Sequence, residues 1–485
     1  MARLSKSRIM SSLQCQKKLW LETHRRDLAR ITPSMQAAFD TGHAVGAAAI
    51  EIYGQGRGVE IPYEGGLNRA EQTTRELMDG LFREPVFEAT LSYRDVLVRE
   101  DVLFPEDGSW QVIEVKASTR PKPEHAQDCA IQAWVHRGAG YPLAGIHLAH
   151  VDNQFVLGED GGLDGLLVEV DMGEEALGLQ SSVEAWVEQA RATVEGPEPD
   201  VPVGQHCTSP YECPFMQHCW PSGERYPVQG LGGSKQKLGE LVAAGYRDIR
   251  AVPADELGTD NQLRIHRVTR RGSAEVLPEA GRFIRALAYP RYHLDFETVA
   301  PAVPRWPGTS PYQPLPFQWS CHIEHGDGSV DHREFLDLSG DPPMRACAES
   351  LIEALDDRGP VTMYTAYERR VIRTLASLFD DLAEPLMAIE ERLVDLAPPI
   401  RASYYHPDML GSWSLKALLP TVDRALSYDS LEGIHEGSEA SKAYFEAIDP
   451  STSETRREQI RAQLINYCRQ DTLAMLRLVQ FFESH

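Results

Sequence analysis

The first group of residues that could hold a metal ion is Asp101, Glu114 and Lys116. Glu114 and Lys116 lie two positions apart in a stretch that alternates like a β-strand (110–116), so their side chains share one face. A turn at 105–109 would fold this strand against the one that ends near Asp101. Two carboxylates suit Mg²⁺ or Mn²⁺, and a neighbouring lysine can position water or stabilise phosphate charge. Taken alone, an acid-x-Lys hairpin would be a surface ion pair.

A second group of acidic residues lies in the C-terminal half. Asp295 and Glu297 interrupt an apolar strand, where two carboxylates are costly unless they bind cations. Tyr467 and Asp471 are four positions apart and would share one face of a helix. Asp471 could then complete a metal site while the Tyr467 hydroxyl orients the attacking water. The combination of the two pairs, rather than the Asp-x-Glu pair alone, predicts a catalytic metal site.

Four of the eight cysteines form a third group, in which Cys15 stands alone and Cys207, Cys213 and Cys219 follow at intervals of six. We expect a cytosolic chain, where such a cluster indicates metal or cluster ligation rather than disulfides. Four thiolates can hold a [4Fe–4S] cluster or a Zn²⁺ ion. Zinc ribbons favour two close pairs, so this spacing favours the cluster over zinc, with free thiols as the remaining alternative. The other cysteines are predicted core residues: Cys129, Cys321, Cys347 and Cys468.

The N-terminal half resembles the PD-(D/E)xK nuclease superfamily, in particular the RecB-type nucleases and the related CRISPR-associated exonucleases. The order of an opening helix, the Asp101 hairpin, Glu114-x-Lys116 and a helix with Gln132 carries the resemblance. Two stretches look like the family's opening helix: Leu4-Ser-Lys-Ser-Arg-Ile and Cys15-Gln-Lys-Lys-Leu-Trp-Leu. The resemblance implies that these acids hold Mg²⁺ or Mn²⁺ and that Lys116 and Gln132 assist phosphodiester cleavage. RecB-like nucleases with a [4Fe–4S] cluster show the same split of one early and three late cysteines.

Some positions depart from that family's motifs. Its Gln-x3-Tyr motif matches at Gln132, but His136 stands in the Tyr position. Its upstream Gly-x3-His motif matches at Gly42, but Gly46 stands in the His position. Glu88, at the start of a strand, is a further candidate carboxylate.

The C-terminal half resembles the Tyr-bearing subclass of the DnaQ-like (DEDD) 3′–5′ exonucleases through its Asp-x-Glu and Tyr-x3-Asp pairs. Two metal ions in that family stabilise the attacking and leaving oxygens of the phosphodiester. The family's middle Asp follows an Asn-x3-Phe motif. Here the matching stretch, Tyr364-Thr-Ala-Tyr-Glu368, puts Glu368 in the Asp position, and Asp395 is the alternative third carboxylate. The resemblance implies a metal-binding set drawn from Asp295, Glu297, Glu368, Asp395 and Asp471.

The whole layout also resembles an uncharacterised bacterial family that fuses a RecB-like nuclease and a Cys cluster to a C-terminal ribonuclease H-like domain. Its signatures are Leu-Asp-Phe-Glu-Thr, Pro-Phe-Gln-Trp-Ser and Ser-Leu-Lys-Ala-Leu-Leu-Pro, and the resemblance covers nearly the entire chain. It implies an α/β chain in three parts. These are a PD-(D/E)xK nuclease domain (mixed sheet with flanking helices) at 1–225, a small helical connector at 226–285 and a DnaQ-like, ribonuclease H-like exonuclease domain at 286–485.

The elements that must position these residues are a mixture of strands and helices in both halves. In the first half we expect strands within 86–119 and at 147–151 and 166–170. We expect helices at 124–137 and 174–194. In the connector, the sequence pattern at 241–250 predicts a helix, a Gly turn and a second helix. Beyond 286 we expect strands at 292–298, 316–324, 333–338 and 361–365, with mostly helices after them.

Length and charge bound the class of protein. A chain of 485 residues that is 42% hydrophobic and 25% charged is typical of a soluble protein with two or three domains. Its net charge of −24 argues against a protein that coats DNA nonspecifically. Eight Lys/Arg at 1–30 and seven Arg at 261–291 are either local phosphate-binding patches or solvated surface. No long apolar run and no signal peptide are visible, so we expect a cytoplasmic location and no membrane partner.

Together these patterns predict a metal-dependent nuclease with two sites that acts on DNA, with single-stranded or free ends, in repair, defence or end processing. RNA is the alternative substrate, because ribonuclease H-like folds serve both nucleic acids. The competing hypothesis is a nucleic-acid-binding scaffold with one or both sites inactive, which the residues Gly46, His136 and Glu368 favour. The sequence gives no indication of a protein partner.

Overall fold

A computed structural model describes residues 3–80, 82–355, 358–426, 428 and 431–485. The chain divides into two compact units: unit 1 is Met1–Trp220 with Pro301–Tyr312, and unit 2 is Pro221–Ala300 with Gln313–His485. The stretch that the sequence predicted as a separate connector (226–285) therefore lies within unit 2. Pro301–Tyr312 lies within unit 1 because the backbone N–H of Leu157 donates to the carbonyl of Thr309, at 3.0 Å, and the Tyr312 hydroxyl donates to the carbonyl of Ala117.

Unit 1 is a mixed α/β structure. Its described strands are β1 (Leu4–Ser5), β2 (Val59–Glu60), β3 (Val86–Tyr93), β4 (Val96–Glu106), β5 (Ser109–Lys116), β6 (Leu143–Val151) and β7 (Leu167–Asp171). Its described helices are α1 (Lys6–Gln14), α2 (Gln16–His24), α3 (Pro33–Gly54), α4 (Leu67–Asp79), α5 (Pro123–Gly138), α6 (Gly173–Gly178), α7 (Gln180–Glu195) and α8 (Met216–Cys219).

One sheet organises unit 1. Its strand order is β2-β3-β4-β5-β6-β7, and β1 pairs with the start of β4. The central strands β3, β4 and β5 are antiparallel, whereas β5 and β6 are parallel and are joined through α5. The core between the sheet and the helices contains Val98, Val112 and Leu148 of the strands and Ile131 and Val135 of α5. The predicted hairpin is confirmed, but its turn is only Asp107-Gly108, because Glu106 already pairs with Ser109.

Unit 2 is also mixed α/β. Its described strands are β8 (Glu275–Val276), β9 (Arg291–Val299), β10 (Leu315–Glu324), β11 (Val330–Leu336), β12 (Val361–Met363), β13 (Leu393–Asp395) and β14 (Tyr404–Tyr405). Its described helices are α9 (Lys235–Ala243), α10 (Asp260–Arg271), α11 (Pro278–Arg285), α12 (Met344–Ala354), α13 (Tyr367–Leu378), α14 (Ala383–Glu391), α15 (Ala397–Ser403), α16 (Leu415–Val422), α17 (Gly437–Ala447) and α18 (Glu454–Glu483).

The main sheet of unit 2 has the order β11-β10-β9-β12-β13. Strand β10 is antiparallel to both neighbours, whereas β9, β12 and β13 run parallel to one another. The carboxyl ends of those three strands therefore meet at one edge, where ligands commonly bind in parallel sheets. The long helix α18 covers β9 and β10: the carbonyl of Leu464 accepts from Gln318 at 2.9 Å, and the hydroxyls of Thr472 and Ser320 lie 2.9 Å apart.

The remaining elements follow the sequence pattern with local differences. The helix expected at 174–194 is divided into α6 and α7. The second helix expected in 241–250 is only a 3₁₀ turn (Ile249–Ala251), which follows Gly245 at a φ of 94°. Among the described helices, none combines the length and apolarity needed to cross a membrane.

Candidate functional sites

The acidic group of unit 1 forms where β4 and β5 stop pairing. The last paired residues are Val102 on β4 and Ile113 on β5. Asp101 and Glu114 are the next residues beyond this pair, one on each strand. An oxygen of the Asp101 carboxylate accepts from the backbone N–H of Val115 at 2.7 Å, which holds Asp101 against β5. The hairpin thus brings Asp101 to the strand that carries the two other residues singled out in the sequence.

Helix α5 places a polar stripe over these strands. Asp128, Gln132 and His136 are one helical turn apart, and all three are buried. The Gln132 amide donates to Glu114 Oε2 at 2.5 Å and to Asp128 Oδ1 at 3.0 Å. Gln132 therefore orients both carboxylates, as expected of a residue that supports a metal site.

Two lysines neutralise this acidic group. Lys116 contacts Glu114, and its Nζ lies 2.9 Å from Asp128 Oδ2. Lys6, the first residue of α1, places its Nζ 2.8 Å from Glu114 Oε1 and 2.7 Å from Asp128 Oδ1. The sequence analysis assigned a role to neither residue, although Lys6 lies in the Leu4-Ser-Lys-Ser-Arg-Ile stretch that resembles the family's opening helix. Asp128 had a signal, since an acid one turn before Gln132 on an apolar helix is costly unless it is paired.

Burial and mutual charge determine the ionisation of this site. Burial, reinforced by the charge of Glu114, raises the pKa of Asp101 to about 8. Burial would also raise the pKa of Asp128, but the charges of Lys116 and Lys6 lower it below its usual range. Burial disfavours a charged ammonium, yet Asp128 and then Glu114 raise the pKa of both lysines. Asp101 therefore ionises less readily than an ordinary aspartate, whereas Asp128 ionises more readily.

Three other positions from the sequence analysis have different surroundings. His136, at the Tyr position of the nuclease motif, lies with its Nδ1 3.0 Å from Glu100 Oε1, and both side chains are fully buried. Glu88 has a φ of 56° and pairs with Arg99 at 2.8 Å. Gly46 is half-buried in the middle of α3. The structure thus gives His136 and Glu88 partners of their own.

The four cysteines of the cluster prediction come together in unit 1. They line one small cavity beside Lys17, Lys18 and His206: Cys15, Cys207, Cys213 and Cys219. Burial raises the pKa of the Cys213 thiol to about 11, and it also raises the pKa values of Cys15 and Cys219.

Among the described residues, only Asp295, Glu297 and Cys468 form a trio of acid, histidine or cysteine ligand atoms all within 4.8 Å of one another. The four cysteines share a cavity without forming such a trio, so their side chains would have to move closer together to hold one zinc ion.

The acidic group of unit 2 lies between β9 and α18. Asp295 and Glu297 are two apart on β9, and α18 presents Tyr467, Cys468 and Asp471 to them. The Sγ of Cys468 lies 3.7 Å from an oxygen of Asp295. Cys468 is buried, as expected from the sequence, but it faces the acids.

Glu368 and Asp395 come from the neighbouring strands of the same edge. Glu368 is in the first turn of α13, directly after β12, and only 3% of its surface is exposed. Asp395, at the end of β13, accepts from the backbone N–H groups of Thr365 and Ala397 at 3.1 and 2.9 Å. Thr365 has a φ of 84°, a strained value for a β-branched residue that is characteristic of functional sites. Asp395 therefore shapes the loop before α13, whereas Glu368 is buried among the acids.

Two further residues of unit 2 contact this group without having been found in the sequence. The hydroxyl of Tyr428 donates to Asp471 Oδ1. The Nζ of Lys416 lies 5.7 Å from the ring centre of Tyr428 and 5.5 Å from that of Tyr467. Its charge only partly offsets the rise in the pKa of Glu297 that burial and Asp471 cause. Lys416 lies in the signature stretch Ser-Leu-Lys-Ala-Leu-Leu-Pro, but the sequence assigned it no role, and no local pattern marks Tyr428.

The acids of unit 2 are held in an electrostatically unfavourable state. Burial, followed by the charge of Asp471, raises the pKa values of Asp295 and Glu297 well above their usual range. Burial raises the pKa of Glu368 to about 8 and that of Asp471 to about 6. Strongly perturbed acids gathered in a cleft are characteristic of functional sites.

Two openings reach these acids. A cavity of about 390 Å³ has Asp295, Glu297, Tyr467 and Asp471 in its wall. A second, of about 560 Å³, is lined by Asp471, Lys416 and Thr365, among others. Asp471 borders both, so a bound molecule could approach it from either side.

The arginine-rich stretch (261–291) carries less free charge than its composition suggests. Arg264 and Arg267 pair with Glu275 at 2.5 and 2.6 Å. Arg291 is buried, and it pairs with Glu324 and Glu483 at 3.3 and 2.8 Å. Much of this stretch therefore stabilises unit 2.

Comparisons with known proteins identify one region. Residues 292–414 match the family model DUF2779, which is described as a domain of unknown function. The match includes Asp295, Glu297, Glu368 and Asp395 and ends before Tyr467. No curated protein matches the chain. A solved structure titled "Crystal structure of SSO0001" is 12% identical over 44% of this chain and 85% of that chain, with a TM-score of 0.24, too low to indicate a shared fold.

Proposed function

We propose that the protein is a metal-dependent nuclease with two phosphodiesterase sites. Unit 1 would be a PD-(D/E)xK nuclease of RecB-like type, and unit 2 a DnaQ-like exonuclease of ribonuclease H-like fold. The observation that carries the proposal is in unit 2, where β9, α13 and α18 bring together four acids with raised pKa values: Asp295, Glu297, Glu368 and Asp471. Such an arrangement destabilises the free protein, and bound cations would compensate for it.

The donor set of unit 2 fits Mg²⁺ or Mn²⁺. Asp295, Glu297, Glu368 and Asp471 would hold the ions, which stabilise the attacking and leaving oxygens of a phosphodiester when bound. Tyr467 lines the same cavity, and its hydroxyl would orient the attacking water. Lys416 borders the second cavity, where its ammonium would attract the phosphate backbone.

The donor set of unit 1 also fits a hard divalent cation. Asp101 and Glu114 would hold it, and a metal ion supplies Lewis acidity and an activated water at such a site. Lys116 would stabilise the charge that develops on the phosphate. Gln132 keeps Glu114 oriented through its hydrogen bond at 2.5 Å.

The thiols at Cys15, Cys207, Cys213 and Cys219 would hold a [4Fe–4S] cluster in preference to zinc. Their convergence on one cavity supports a shared metal group, and their sequence spacing of one early and three late cysteines favours the cluster. Such a cluster would link the junction of α1 and α2 to the segment 207–219, and so would act mainly as a structural tie.

The proposed substrate is DNA with single-stranded or free ends, in repair, defence or end processing, with RNA as the alternative. The experiment uses protein purified without oxygen and 5′- or 3′-labelled single- and double-stranded DNA and RNA, with Mg²⁺ or Mn²⁺. We would compare the wild type with Lys116→Ala, Asp295→Ala and the double variant. We expect each single variant to lose a different set of products. A wild type that leaves every substrate intact while it still binds DNA would replace this proposal with the non-catalytic scaffold.

A further inference from the structure

Lys6 lies in the unit 1 site and is held there by the fold. Strand β1 pairs Leu4 with Val96 and Ser5 with Leu97, on the same strand that carries Asp101. The Ser5 hydroxyl accepts from the backbone N–H of Arg8 and so caps α1 directly before Lys6. The Lys6 side chain is only 17% exposed. The position of the Lys6 ammonium is therefore preorganised by the fold, unlike that of a mobile surface lysine.

The Lys6 ammonium occupies a place suited to a cation. It lies between Glu114 Oε1 and Asp128 Oδ1, at 2.8 and 2.7 Å. Glu114 Oε1 also accepts a hydrogen bond from Lys116, and Glu114 Oε2 accepts one from Gln132. Both oxygens of Glu114 are thus already engaged by donors of the protein. A metal ion that binds Glu114 must displace or share at least one of these contacts.

Formal charge sets how many metal ions this site can hold. A carboxylate that binds a metal ion must be ionised, so in the metal-bound site three carboxylates (Asp101, Glu114 and Asp128) face the two ammonium groups of Lys6 and Lys116, which leaves one negative charge. One divalent cation and one phosphodiester anion bring the formal sum to zero. A second divalent cation would leave two uncompensated positive charges in a buried site, which is unfavourable.

We propose that Lys6 replaces a second metal ion in unit 1, so that this site works with one divalent cation and Lys6 contacts the phosphodiester. The inference rests on the nuclease function proposed above. Asp128 is then a positioning residue that holds Lys6 and Lys116 in the free protein. A purely structural role for Lys6 would stabilise the fold without affecting metal binding.

The test uses the full chain with Asp295→Asn, Glu297→Gln, Glu368→Gln and Asp471→Asn, so that all four proposed metal ligands of unit 2 are removed. Mn²⁺ is titrated and followed by electron paramagnetic resonance and calorimetry, and cleavage of labelled single-stranded DNA is measured in parallel. We expect one Mn²⁺ per chain. In Lys6→Met, the loss of the competing ammonium should tighten Mn²⁺ binding at least about 10-fold or admit a second ion, since a neighbouring unit charge contributes strongly at this distance. The same variant should lower kcat by about 100-fold.

Two further variants keep the result interpretable. Arg3→Met removes a charge of the same segment that pairs with Glu71 instead, and it should leave Mn²⁺ binding unchanged. Lys6→Arg retains the positive charge, so this variant should still bind one Mn²⁺ ion per chain. Two Mn²⁺ ions bound while Lys6 is present would overturn the inference, even if Lys6→Met fails to fold. Unchanged binding and cleavage in Lys6→Met would overturn it as well. The nuclease proposal fails separately, if Lys116→Ala cleaves as fast as its parent.

Discussion

Replacing Glu368 with Gln should stabilise the metal-free protein, and more so at high pH. Glu368 is 3% exposed, and its Oε2 has no hydrogen-bond partner among the residues that the structure describes. Burial raises its pKa from 4.5 to about 8. An amide has the shape of the protonated acid and does not ionise. Glu368→Gln therefore removes the cost of ionising this buried group and retains most of its packing.

The sign of the pH dependence follows from linkage. The unfolded chain releases the Glu368 proton near pH 4.5, whereas the folded protein retains it up to about pH 8. Ionisation therefore favours the unfolded state increasingly across this window, and the penalty is constant above it. The advantage of Gln should be absent near pH 4 and largest above pH 8.

The magnitude can be bounded. A shift from 4.5 to about 8 corresponds to roughly 4–5 kcal/mol at most, from about 1.4 kcal/mol per pH unit. Neighbouring acids share the same protons, and the site can relax, so we expect about 1–3 kcal/mol at pH 8. For a unit of this size that is an increase in Tm of about 2–10 °C.

The assay is thermal unfolding in a chelator at pH 4.5, 6 and 8.5, with and without Mn²⁺. Glu390→Gln is the matched control, because Glu390 is a buried glutamate of the same unit that pairs with Arg369 and Arg373 at 2.5 and 2.8 Å. Those partners outweigh burial and lower its pKa, so its substitution should destabilise the protein at pH 8.5. If Glu368→Gln has the same Tm difference at all three pH values, the electrostatic reasoning is refuted. If Mn²⁺ stabilises this variant as much as the wild type, Glu368 is not a metal ligand.

Three further substitutions test other parts of the structure. Cys213→Ser should abolish the visible absorption near 400 nm of anaerobically purified protein and lower its Tm, whereas Cys347→Ser should leave the absorption intact; retained absorption in Cys213→Ser would contradict the assigned ligand set. Gly138→Ala would drive its Cβ into the ring of Tyr93 and should cost about 1–3 kcal/mol in chemical denaturation, and an unchanged midpoint would show that the ring can move. Arg291→Met should cost about 3–5 kcal/mol by the same measurement, because it leaves Glu324 buried without that partner, and a loss below 1 kcal/mol would contradict this ion-pair account.

The sequence was sufficient for features that depend on neighbouring residues. The spacing of Glu114 and Lys116 placed them on one strand, and the turn after Asp101 predicted a hairpin that the structure confirms. The spacing of Tyr467 and Asp471 placed both on one face of a helix, which is α18. In each case the geometry is set by the period of a single element or by a short turn.

Features that depend on tertiary packing were missed. Lys6 meets Glu114 across 108 positions of sequence, through a strand of only two residues that no periodicity reveals. Tyr428 reaches Asp471 across 43 positions. The loop Pro301–Tyr312 was assigned to the C-terminal domain because it continues the chain after β9, yet its hydrogen bonds join it to unit 1. Nothing in the local sequence of these segments specifies their partners.

The two acidic sites manage buried negative charge in different ways, and the difference bears on how each would bind metal. In unit 1 the protein supplies its own cations, so Asp128 stays ionised and Asp101 is the acid with a raised pKa. In unit 2 the charge of Lys416 does not outweigh burial, the Tyr428 hydroxyl donates to Asp471, and four acids have raised pKa values. A metal ion in unit 1 would therefore compete mainly with ammonium groups for the carboxylates. In unit 2 a metal ion would instead displace protons from the acids that it binds. The affinity of unit 2 for a divalent cation should accordingly depend more steeply on pH, because each released proton adds to the dependence.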